Sequence, residues 1–386
     1  MLPAAVIREA ALRHNIAEMQ AFAQRSGAHL CPHGKTTMSP EIFRMQLEAG
    51  AWGITAATAH HVRIYRRLGV SRVFLTNILA GRTDIDLITQ EIAADPEFDF
   101  YCLVDSPEAA SLLADGMARA GMARAGKGRR INLLVETGLT GARTGVRSVE
   151  AALALARQVA ALPTLALRGV ETFEGVRQAV PDARDLAGGM IDLAVAAVDA
   201  IAAEGLFADG PLLLSAGGSA FLDLCATRLP EEIGGRPVQR VIRPGCYVTH
   251  DSGFYERTTR PGGKPYPGLP DLRHALEVWG VVLSLPEPGR AIVGVGKRDA
   301  SFDIEPPIPL WYHSSGATDP AQPADGMMVT VMWDQHLAID APPDVLAIGD
   351  LVGFGISHPC ATFDRWTALL TVTDGYDVTG AVTTLF

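Results

Sequence analysis

The most constraining feature of this sequence is a regular alternation of short apolar runs and helical periodicity. Eight apolar runs recur at 28–30, 52–56, 72–76, 98–104, 131–135, 167–172, 212–215 and 238–242. Stretches with helical spacing of apolar residues separate them, for example 40–49, 107–120 and 182–203. Parallel neighbouring strands need long right-handed connections, which helices supply. The alternation therefore predicts a closed (β/α)8 barrel over residues 12–259, with an open doubly wound sheet as the alternative.

The pattern changes after residue 259. Residues 260–270 are rich in Pro and Gly, which suit neither a helix nor a central strand. Strand-like runs then predominate, at 278–285, 291–295, 327–333, 351–356 and 367–373. The sequence predicts a second, mainly antiparallel β domain over residues 260–386, which residues 1–11 could join.

The composition of the chain argues against several classes of partner and location. Lys and Arg number 33 against 43 Asp and Glu, a net charge of −10, so we expect no nucleic-acid or anionic-lipid partner. No apolar stretch reaches the length of a membrane span, and the first residues lack the pattern of a secretory signal. The five cysteines have no framework spacing, which is typical of a reducing compartment. These features favour a cytoplasmic enzyme acting on a small molecule.

Lys35 directly follows the first predicted strand. In a barrel of this kind the working residues lie at the carboxyl ends of the strands. A lysine there would be partly desolvated, which lowers an amine pKa and favours a Schiff base with a carbonyl cofactor. The alternative is a solvated loop lysine.

The seventh and eighth strands end in tight turns, Ser215-Ala-Gly217-Gly218-Ser219 and Arg243-Pro-Gly245-Cys-Tyr247. Glycines allow the backbone to approach an anion, and barrel enzymes often bind phosphate at these two turns. Together with Lys35 they predict a pocket for pyridoxal phosphate, unless the glycines only form a turn. Arg143, after the fifth strand, could neutralise the cofactor phenolate or a substrate carboxylate, or lie on the surface.

The β domain contains a candidate metal site. On an extended segment, His358 and Cys360 would project to the same face, where nitrogen and sulfur ligands suit Zn²⁺. A structural role for this His-x-Cys pair is the alternative. His336 could supply an acid–base group, or belong to a polar hairpin turn.

These motifs resemble the D-threonine aldolase and D-serine dehydratase family, whose members are pyridoxal-phosphate enzymes of the alanine-racemase fold. The resemblance spans almost the whole chain and is greatest for members described as amino acid deaminases. It rests on Pro32-His33-Gly34-Lys35-Thr36, Ser215–Ser219, Arg243-Pro-Gly-x-Tyr247, Lys297-x-x-x-Ser301-x-Asp303 and His358-x-Cys360.

The resemblance implies an internal Schiff base on Lys35 and a cofactor pocket that includes His33. It also implies phosphate binding around Gly217, Gly218, Ser219, Gly245 and Tyr247. A divalent metal, Zn²⁺ or alternatively Mn²⁺ or Mg²⁺, would bind His358 and Cys360, and the enzyme would be a head-to-tail homodimer. Two departures stand out. Thr37 and Met38 replace the usual His-Lys, and Phe173 replaces a tyrosine whose phenol can meet the pyridine nitrogen.

Two reactions of a β-hydroxy D-amino acid compete. The family pairs His-x-Cys with dehydratases, so Cys360 favours metal-assisted elimination of water, with Lys35 removing the α-proton and a 2-oxo acid and ammonia released. The alternative is retro-aldol cleavage to glycine and an aldehyde. A racemase is disfavoured because it would need an opposing base, and none is evident in the sequence. A non-catalytic cofactor carrier would resemble the barrel alone, so the additional β domain argues against it.

Overall fold

The computed structural model describes residues 1–121, 129–177, 180–260, 264 and 266–386. These form two compact units. The barrel unit comprises Gln20–Lys35 and Gln46–Gly245, and the β unit comprises Met1–Met19, Thr36–Met45 and Cys246–Phe386. Part of the Pro- and Gly-rich stretch, at 261–263 and 265, lies outside the described residues. The domain bounds 12–259 and 260–386 stay a prediction.

Strand and helix alternate through the first two thirds of the chain, as the apolar runs predict. The elements in order are β1 (Ala4–Arg8), α1 (Glu9–Arg25), β2 (Ala28–Leu30), α2 (Pro40–Glu48), β3 (Ile54–Ala56), α3 (Ala59–Arg67), β4 (Arg72–Ile78), α4 (Arg82–Ala94), β5 (Asp99–Val104), α5 (Pro107–Arg119), β6 (Ile131–Thr137), α6 (Val149–Ala160), β7 (Leu165–Thr172), α7 (Ala183–Ala203), β8 (Leu212–Ser215), α8 (Leu222–Arg228), β9 (Glu232–Ile233) and β10 (Arg236–Ile242). Each of the eight predicted runs contains a strand. The alternation is therefore confirmed.

The eight parallel strands form a barrel sheet in the order β2-β10-β8-β7-β6-β5-β4-β3. A parallel bridge between His33 and Thr55 joins its two ends, where Thr55 N also donates to Pro32 O at 2.8 Å. Inward side chains form a buried apolar cluster that includes Phe74, Leu134 and Leu213. The closed (β/α)8 arrangement is confirmed, and it brings the carboxyl ends of all eight strands to one rim.

Side-chain caps fix where three barrel helices begin. Thr58, Ser106 and Ser148 precede α3, α5 and α6, and each hydroxyl accepts a hydrogen bond from the backbone N–H three residues later. Such caps satisfy donors that a helix start leaves unpaired. The connection from strand to helix is two residues long before α3 and α5 and eleven residues long before α6.

One helix in the described part of the chain, α7, is long and apolar enough to cross a membrane, with a mean hydropathy of 1.8. Nine of its residues are buried, including Ile191, Val198 and Ile201. The helix packs against β7 and α6. Its apolar composition is accounted for by this packing in the barrel unit.

The β unit is built mainly from the last third of the chain. Its later elements are α9 (Phe254–Thr259), β11 (Leu276–Glu287), β12 (Arg290–Val293), β13 (Ile308–His313), β14 (Gln322–Pro323), β15 (Met328–Met332), β16 (Leu337–Asp340), β17 (Leu351–Gly355), α10 (Cys360–Phe363), β18 (Ala368–Val372) and β19 (Val378–Thr383). The main path runs β14-β13-β17-β11-β1-β18-β19, and β12, β16 and β15 extend from β11. Only the β1–β18 pair is parallel among the described strands of this sheet, so the mainly antiparallel character is confirmed.

Candidate active site

A cavity of about 320 Å³ opens in the barrel unit. Five of the residues singled out in the sequence line it together: His33, Lys35, Arg143, Phe173 and Gly217. They come from the carboxyl ends of four different strands, β2, β6, β7 and β8, or from the loops that follow. The barrel thus assembles residues that are up to 184 positions apart in the chain.

Lys35 lies in a single 3-10 turn, Gly34–Thr36, that follows β2. A Cβ on Gly34 would lie 2.5 Å from Tyr65 Oη and 2.8 Å from an Ile54 methyl, so only glycine allows this turn to approach the barrel wall. The Lys35 side chain is exposed where it lines the cavity. Its partial desolvation in the working enzyme stays a prediction.

His33 lines the same cavity as Lys35. Its Nε2 lies 3.4 Å from Thr76 Oγ1. Burial, reinforced by the positive charges of Lys35 and Arg243, holds the pKa of His33 well below its usual value. An uncharged imidazole beside Lys35 adds no positive charge of its own to the cavity.

Arg143 lies over the ring of Phe173, with its guanidinium carbon 4.8 Å from the ring centroid. This stacking orients Arg143 toward the cavity that both residues line. Phe173 thus supports a cation at the position where the family commonly has a tyrosine. It provides no hydrogen bond of its own.

The glycine loop after β8 is hydrogen-bonded to a carboxylate. Gly217 N and Gly218 N donate to the two carboxylate oxygens of Glu174, at 2.9 and 2.7 Å. Gly217 has a φ of +103°, and a Cβ on Gly218 would lie 2.8 Å from Phe173 Cε2, so both positions require glycine. Glu174 was not singled out in the sequence. Its carboxyl oxygens occupy both amides.

A network of buried charged side chains forms part of the cavity wall. Arg243 donates to Ser215 Oγ and to the Glu171 carboxylate, and both members of this ion pair are almost fully buried. Burial raises the pKa of Glu171 to about 8, although Arg243 opposes that shift. On the neighbouring strand, Glu136 is the register partner of Glu171 and accepts a 2.7 Å hydrogen bond from Thr144 Oγ1. Burial raises the pKa of Glu136 as well.

Sequence reasoning missed the roles of Glu136, Glu171 and Arg243. The signal that could have found them is a charged residue near the end of an otherwise apolar barrel strand. Glu136 and Glu171 have this position on β6 and β7, and Arg243 directly follows β10. Burying a charge is unfavourable unless it is paired, so such residues have a specific role.

The candidate metal pair lies in the β unit and is held by charged and thiol neighbours. His358 Nδ1 is 2.6 Å from Asp303 Oδ2. Cys360 Sγ is 3.5 Å from Cys246 Sγ and 3.2 Å from Thr36 Oγ1. Hydrogen bonds with Cys246, His358 and Thr36 hold the pKa of Cys360 well below its usual value, and Cys360 with Asp303 raises the pKa of His358 to about 9. Each of the two side chains therefore stabilises the charged form of the other.

This donor set fits a soft divalent ion in part. A deprotonated sulfur and an imidazole nitrogen are ligands that Zn²⁺ prefers. Within the described ranges, however, no three His, Cys, Asp or Glu side chains are grouped so that they could hold a metal ion. Two protein ligands would leave the other coordination positions to water or substrate.

The remaining predicted residues lie apart from the cavity lining. Ser215 is buried and donates to Val241 O at 3.0 Å, Ser219 is half-buried, and Gly245 is buried at the end of the barrel unit. Tyr247 lies buried in a 3-10 turn of the β unit. His336 is exposed, in the turn between β15 and β16. Their proposed roles stay predictions.

The fold and this cavity together define a class of protein. A closed parallel barrel, a lysine after its first strand, a glycine loop after its seventh, and an antiparallel β unit are the features of the alanine-racemase fold. Comparison with sequence families agrees. The model described as "Alanine racemase, N-terminal domain" matches residues 7–246, and "Putative serine dehydratase domain" matches residues 275–372.

Relatives with assigned activities match over nearly the whole chain. A D-threonine aldolase from Arthrobacter sp. is 24% identical over 97% of this chain and 89% of that protein. A 3-hydroxy-D-aspartate aldolase from Paracoccus denitrificans (strain Pd 1222) is 25% identical over 94% and 87%. A crystal structure of D-threonine aldolase from Filomicrobium marinum covers 100% of this chain and 95% of its own, with a TM-score of 0.81 and 22% identity.

A second solved structure has the same fold. D-threo-3-hydroxyaspartate dehydratase from Delftia sp. HT23 covers 100% of this chain and 97% of its own, with a TM-score of 0.76 and 22% identity. The chain belongs to the D-threonine aldolase and D-serine dehydratase family, within the alanine racemase fold. It is a pyridoxal-phosphate-dependent lyase.

Proposed function

We propose that this lyase eliminates water from a β-hydroxy D-amino acid and releases a 2-oxo acid and ammonia. The observation that carries the proposal is the common cavity in which Lys35, Arg143 and Phe173 face the Gly217 loop. The substrate class is supported by the relatives, whose names include D-threonine and D-3-hydroxyaspartate enzymes. The preference for elimination rests on the thiol of Cys360, as the family resemblance implies.

The residues of the cavity fit pyridoxal phosphate. Lys35 provides a primary amine for the aldehyde, and Arg143 and Arg243 provide positive charge toward an anionic ring. The bound cofactor supplies stabilisation of negative charge at the substrate Cα. Glu174 occupies the amides of Gly217 and Gly218, so these two glycines shape the phosphate loop. We propose Ser219 and Tyr247 as direct phosphate ligands, with Gly245 in the second turn.

The side chains that line the cavity have separate roles in the proposed reaction. Lys35 takes the proton from the substrate α-carbon, because its amine is the basic group that reaches into the cavity. Arg143, stacked on Phe173, binds and orients the substrate carboxylate or the cofactor phenolate. His33 stays neutral and leaves the charge balance of the cavity to Lys35, Arg143 and the carboxyl groups.

We assign a divalent metal to His358 and Cys360, with Zn²⁺ as the first choice and Mn²⁺ or Mg²⁺ as alternatives. Such an ion would supply a Lewis acid for a leaving hydroxyl, which is a poor leaving group unaided. Asp303 holds His358 through Nδ1 and leaves Nε2 as the ligand atom. His336 is the further acid–base candidate, and its position in an exposed turn gives it little support.

Retro-aldol cleavage is the second candidate, because two of the curated relatives are named as aldolases. In that reaction a base takes the proton of the substrate hydroxyl, and the Cα–Cβ bond breaks to give glycine and an aldehyde. The homodimer and the cytoplasmic location also stay predictions of the family resemblance and the cysteine pattern.

One product assay separates the two reactions. The protein is incubated with pyridoxal phosphate and Zn²⁺, then with D-serine, D-threonine or D-threo-3-hydroxyaspartate. Ammonia with a 2-oxo acid supports elimination, whereas glycine with an aldehyde supports cleavage. Lys35→Met should abolish both products and the visible absorbance of the bound cofactor, while Lys264→Met, at an exposed lysine, should retain them. If no substrate gives either product, both proposed reactions fail.

A further inference from the structure

Two thiols of the β unit lie close together although they are 114 residues apart in the chain. Cys246 Sγ and Cys360 Sγ are 3.5 Å apart. Cys246 lies in the 3-10 turn Cys246–Val248 and is 8% exposed, and Cys360 is the first residue of α10 and is partly exposed. The proposed function uses Cys360 as a metal ligand and gives Cys246 no role.

This distance is short enough for covalent chemistry. A disulfide has an S–S length of about 2.05 Å, so the two sulfurs, 3.5 Å apart, must approach by about 1.5 Å. We propose that Cys246 and Cys360 are an oxidation site, at which a hydroperoxide converts the two thiols to an intramolecular disulfide.

The reaction balances with the hydroperoxide as the oxidant. The sulfur of Cys360 attacks the peroxide, the O–O bond breaks, and a sulfenic acid and water result when the oxidant is hydrogen peroxide. The sulfur of Cys246 then attacks the sulfenic sulfur, the S–O bond breaks, and hydroxide leaves with the Cys246 proton as a second water. Two thiols lose two electrons in total, and the peroxide gains them.

The other three cysteines do not share this environment. Cys31, Cys102 and Cys225 are 0%, 0% and 1% exposed. Burial raises the pKa of Cys31 to about 12 and also raises the pKa of Cys102 and of Cys225. Buried neutral thiols react slowly with peroxide, because the thiolate is the nucleophile. Oxidation should therefore be confined to the Cys246–Cys360 pair.

The disulfide has a consequence that rests on the proposed function. A sulfur held in a disulfide is no longer an anionic metal ligand. If Cys360 binds Zn²⁺, oxidation would release the ion, and bound Zn²⁺ would in turn protect Cys360 from peroxide. Cys246 thereby becomes a resolving thiol beside the metal ligand rather than a ligand itself.

The test measures covalent state and needs no activity. The full-length protein, stripped of metal, is treated with hydrogen peroxide, and its mass and thiols are measured without reductant. We expect a loss of about 2 Da per chain, a fall from five titratable thiols to three, and a crosslinked peptide pair containing Cys246 and Cys360. Dithiothreitol should reverse all three changes.

Two cysteine variants test whether the crosslink joins Cys246 and Cys360. Cys246→Ser should prevent the crosslink and let Cys360 continue to the sulfinic acid, whereas Cys225→Ser should leave the crosslink unchanged. A crosslink between other cysteines, a crosslink between two chains, or sulfinic acid at Cys360 in the unmodified protein would overturn the proposal.

Metal binding is measured separately, as bound Zn²⁺ per chain before and after peroxide. Protection by Zn²⁺ and release of the ion on oxidation support both the oxidation site and the metal assignment. A disulfide that forms in a chain unable to bind Zn²⁺ supports the oxidation site and refutes the metal assignment alone. Failure of the oxidation site and failure of the metal assignment therefore give different results.

Discussion

At the scale of single residues, paired carboxylates determine how the functional groups of this lyase are held. Asp303 is hydrogen-bonded to His358, and Glu171 is paired with Arg243 in the cavity wall. Neither carboxylate was assigned a role from the sequence, where Asp303 appeared only as part of a motif. Each can be tested with an amide substitution that preserves size and cannot ionise.

Asp303→Asn should weaken Zn²⁺ binding. The carboxylate 2.6 Å from His358 Nδ1 fixes the ring and leaves Nε2 as the ligand atom, and loss of such a partner lowers metal affinity by about 10- to 100-fold. Competition with a chromophoric chelator measures the dissociation constant. Asp325→Asn, at an exposed aspartate of the same unit, is the control. An unchanged dissociation constant in the Asp303 variant would refute this role.

Glu171→Gln should change how stability depends on pH. Burial raises the pKa of Glu171 from about 4.5 to about 8, so between these values the folded protein holds a proton that the unfolded chain has released. Its contribution is fully present below pH 4.5 and is lost as the pH rises through 8. The midpoint of thermal unfolding should therefore fall from pH 5 to pH 8, and the fall should be smaller in the variant. Glu97→Gln, at an exposed site, should retain the wild-type slope, and equal slopes in all three proteins would contradict the assignment.

At the scale of elements, the barrel was predictable because each strand and helix carries its own periodic signal. The carboxyl ends of the strands follow from the topology, so Lys35 and the Gly217 loop could be assigned to one rim before the structure was known. In contrast, β1 has only five residues, and its strand identity depends on pairing with β11 and β18, more than 260 residues away. Local sequence carries no information about such partners.

The same limit explains why Glu174 was missed. Its position after β7 gives no local sign that its carboxylate reaches the amides of Gly217 and Gly218, 43 and 44 residues further along the chain. Arg243 and Glu171 are likewise 72 residues apart. Long-range pairs of this kind form only when the barrel closes. Sequence therefore located the rim of the candidate site but not its buried supports.

Glu174→Ala should weaken binding of pyridoxal phosphate. The carboxylate connects the short 3-10 segment after β7 to the loop after β8, and without it two buried amides lose their acceptors. We expect the dissociation constant for the cofactor to rise about tenfold, which corresponds to about 1.4 kcal/mol. A fluorescence titration of the cofactor-free protein measures it. Tighter binding in the variant would mean instead that Glu174 competes with the phosphate.

At the scale of the whole molecule, both ends of the polypeptide help to organise the β unit. Strand β1 lies between β11 and β18, and the C-terminal strand β19 pairs with β18. Thr383, at the end of β19, donates from its backbone N–H and its hydroxyl to Glu41 at 3.1 and 3.0 Å, and Leu385 N donates to Met38 O at 2.9 Å. The last residues therefore hold the segment Thr36–Met45, which begins directly after Lys35.

Glu41→Ala should loosen that segment and, through the covalent chain, the position of Lys35. It removes the acceptor for both Thr383 donors and for Ser39 Oγ, which lies 3.0 Å from Glu41 Oε2. Charge-assisted hydrogen bonds of this kind contribute about 1.5–3 kcal/mol when intact, so we expect a lower midpoint of thermal unfolding and several-fold faster loss of cofactor on dilution. Glu287→Ala, at an exposed glutamate of the β unit, should change neither quantity. If the Glu41 variant loses stability but retains the cofactor at the wild-type rate, the C-terminal strand stabilises the β unit without positioning the lysine.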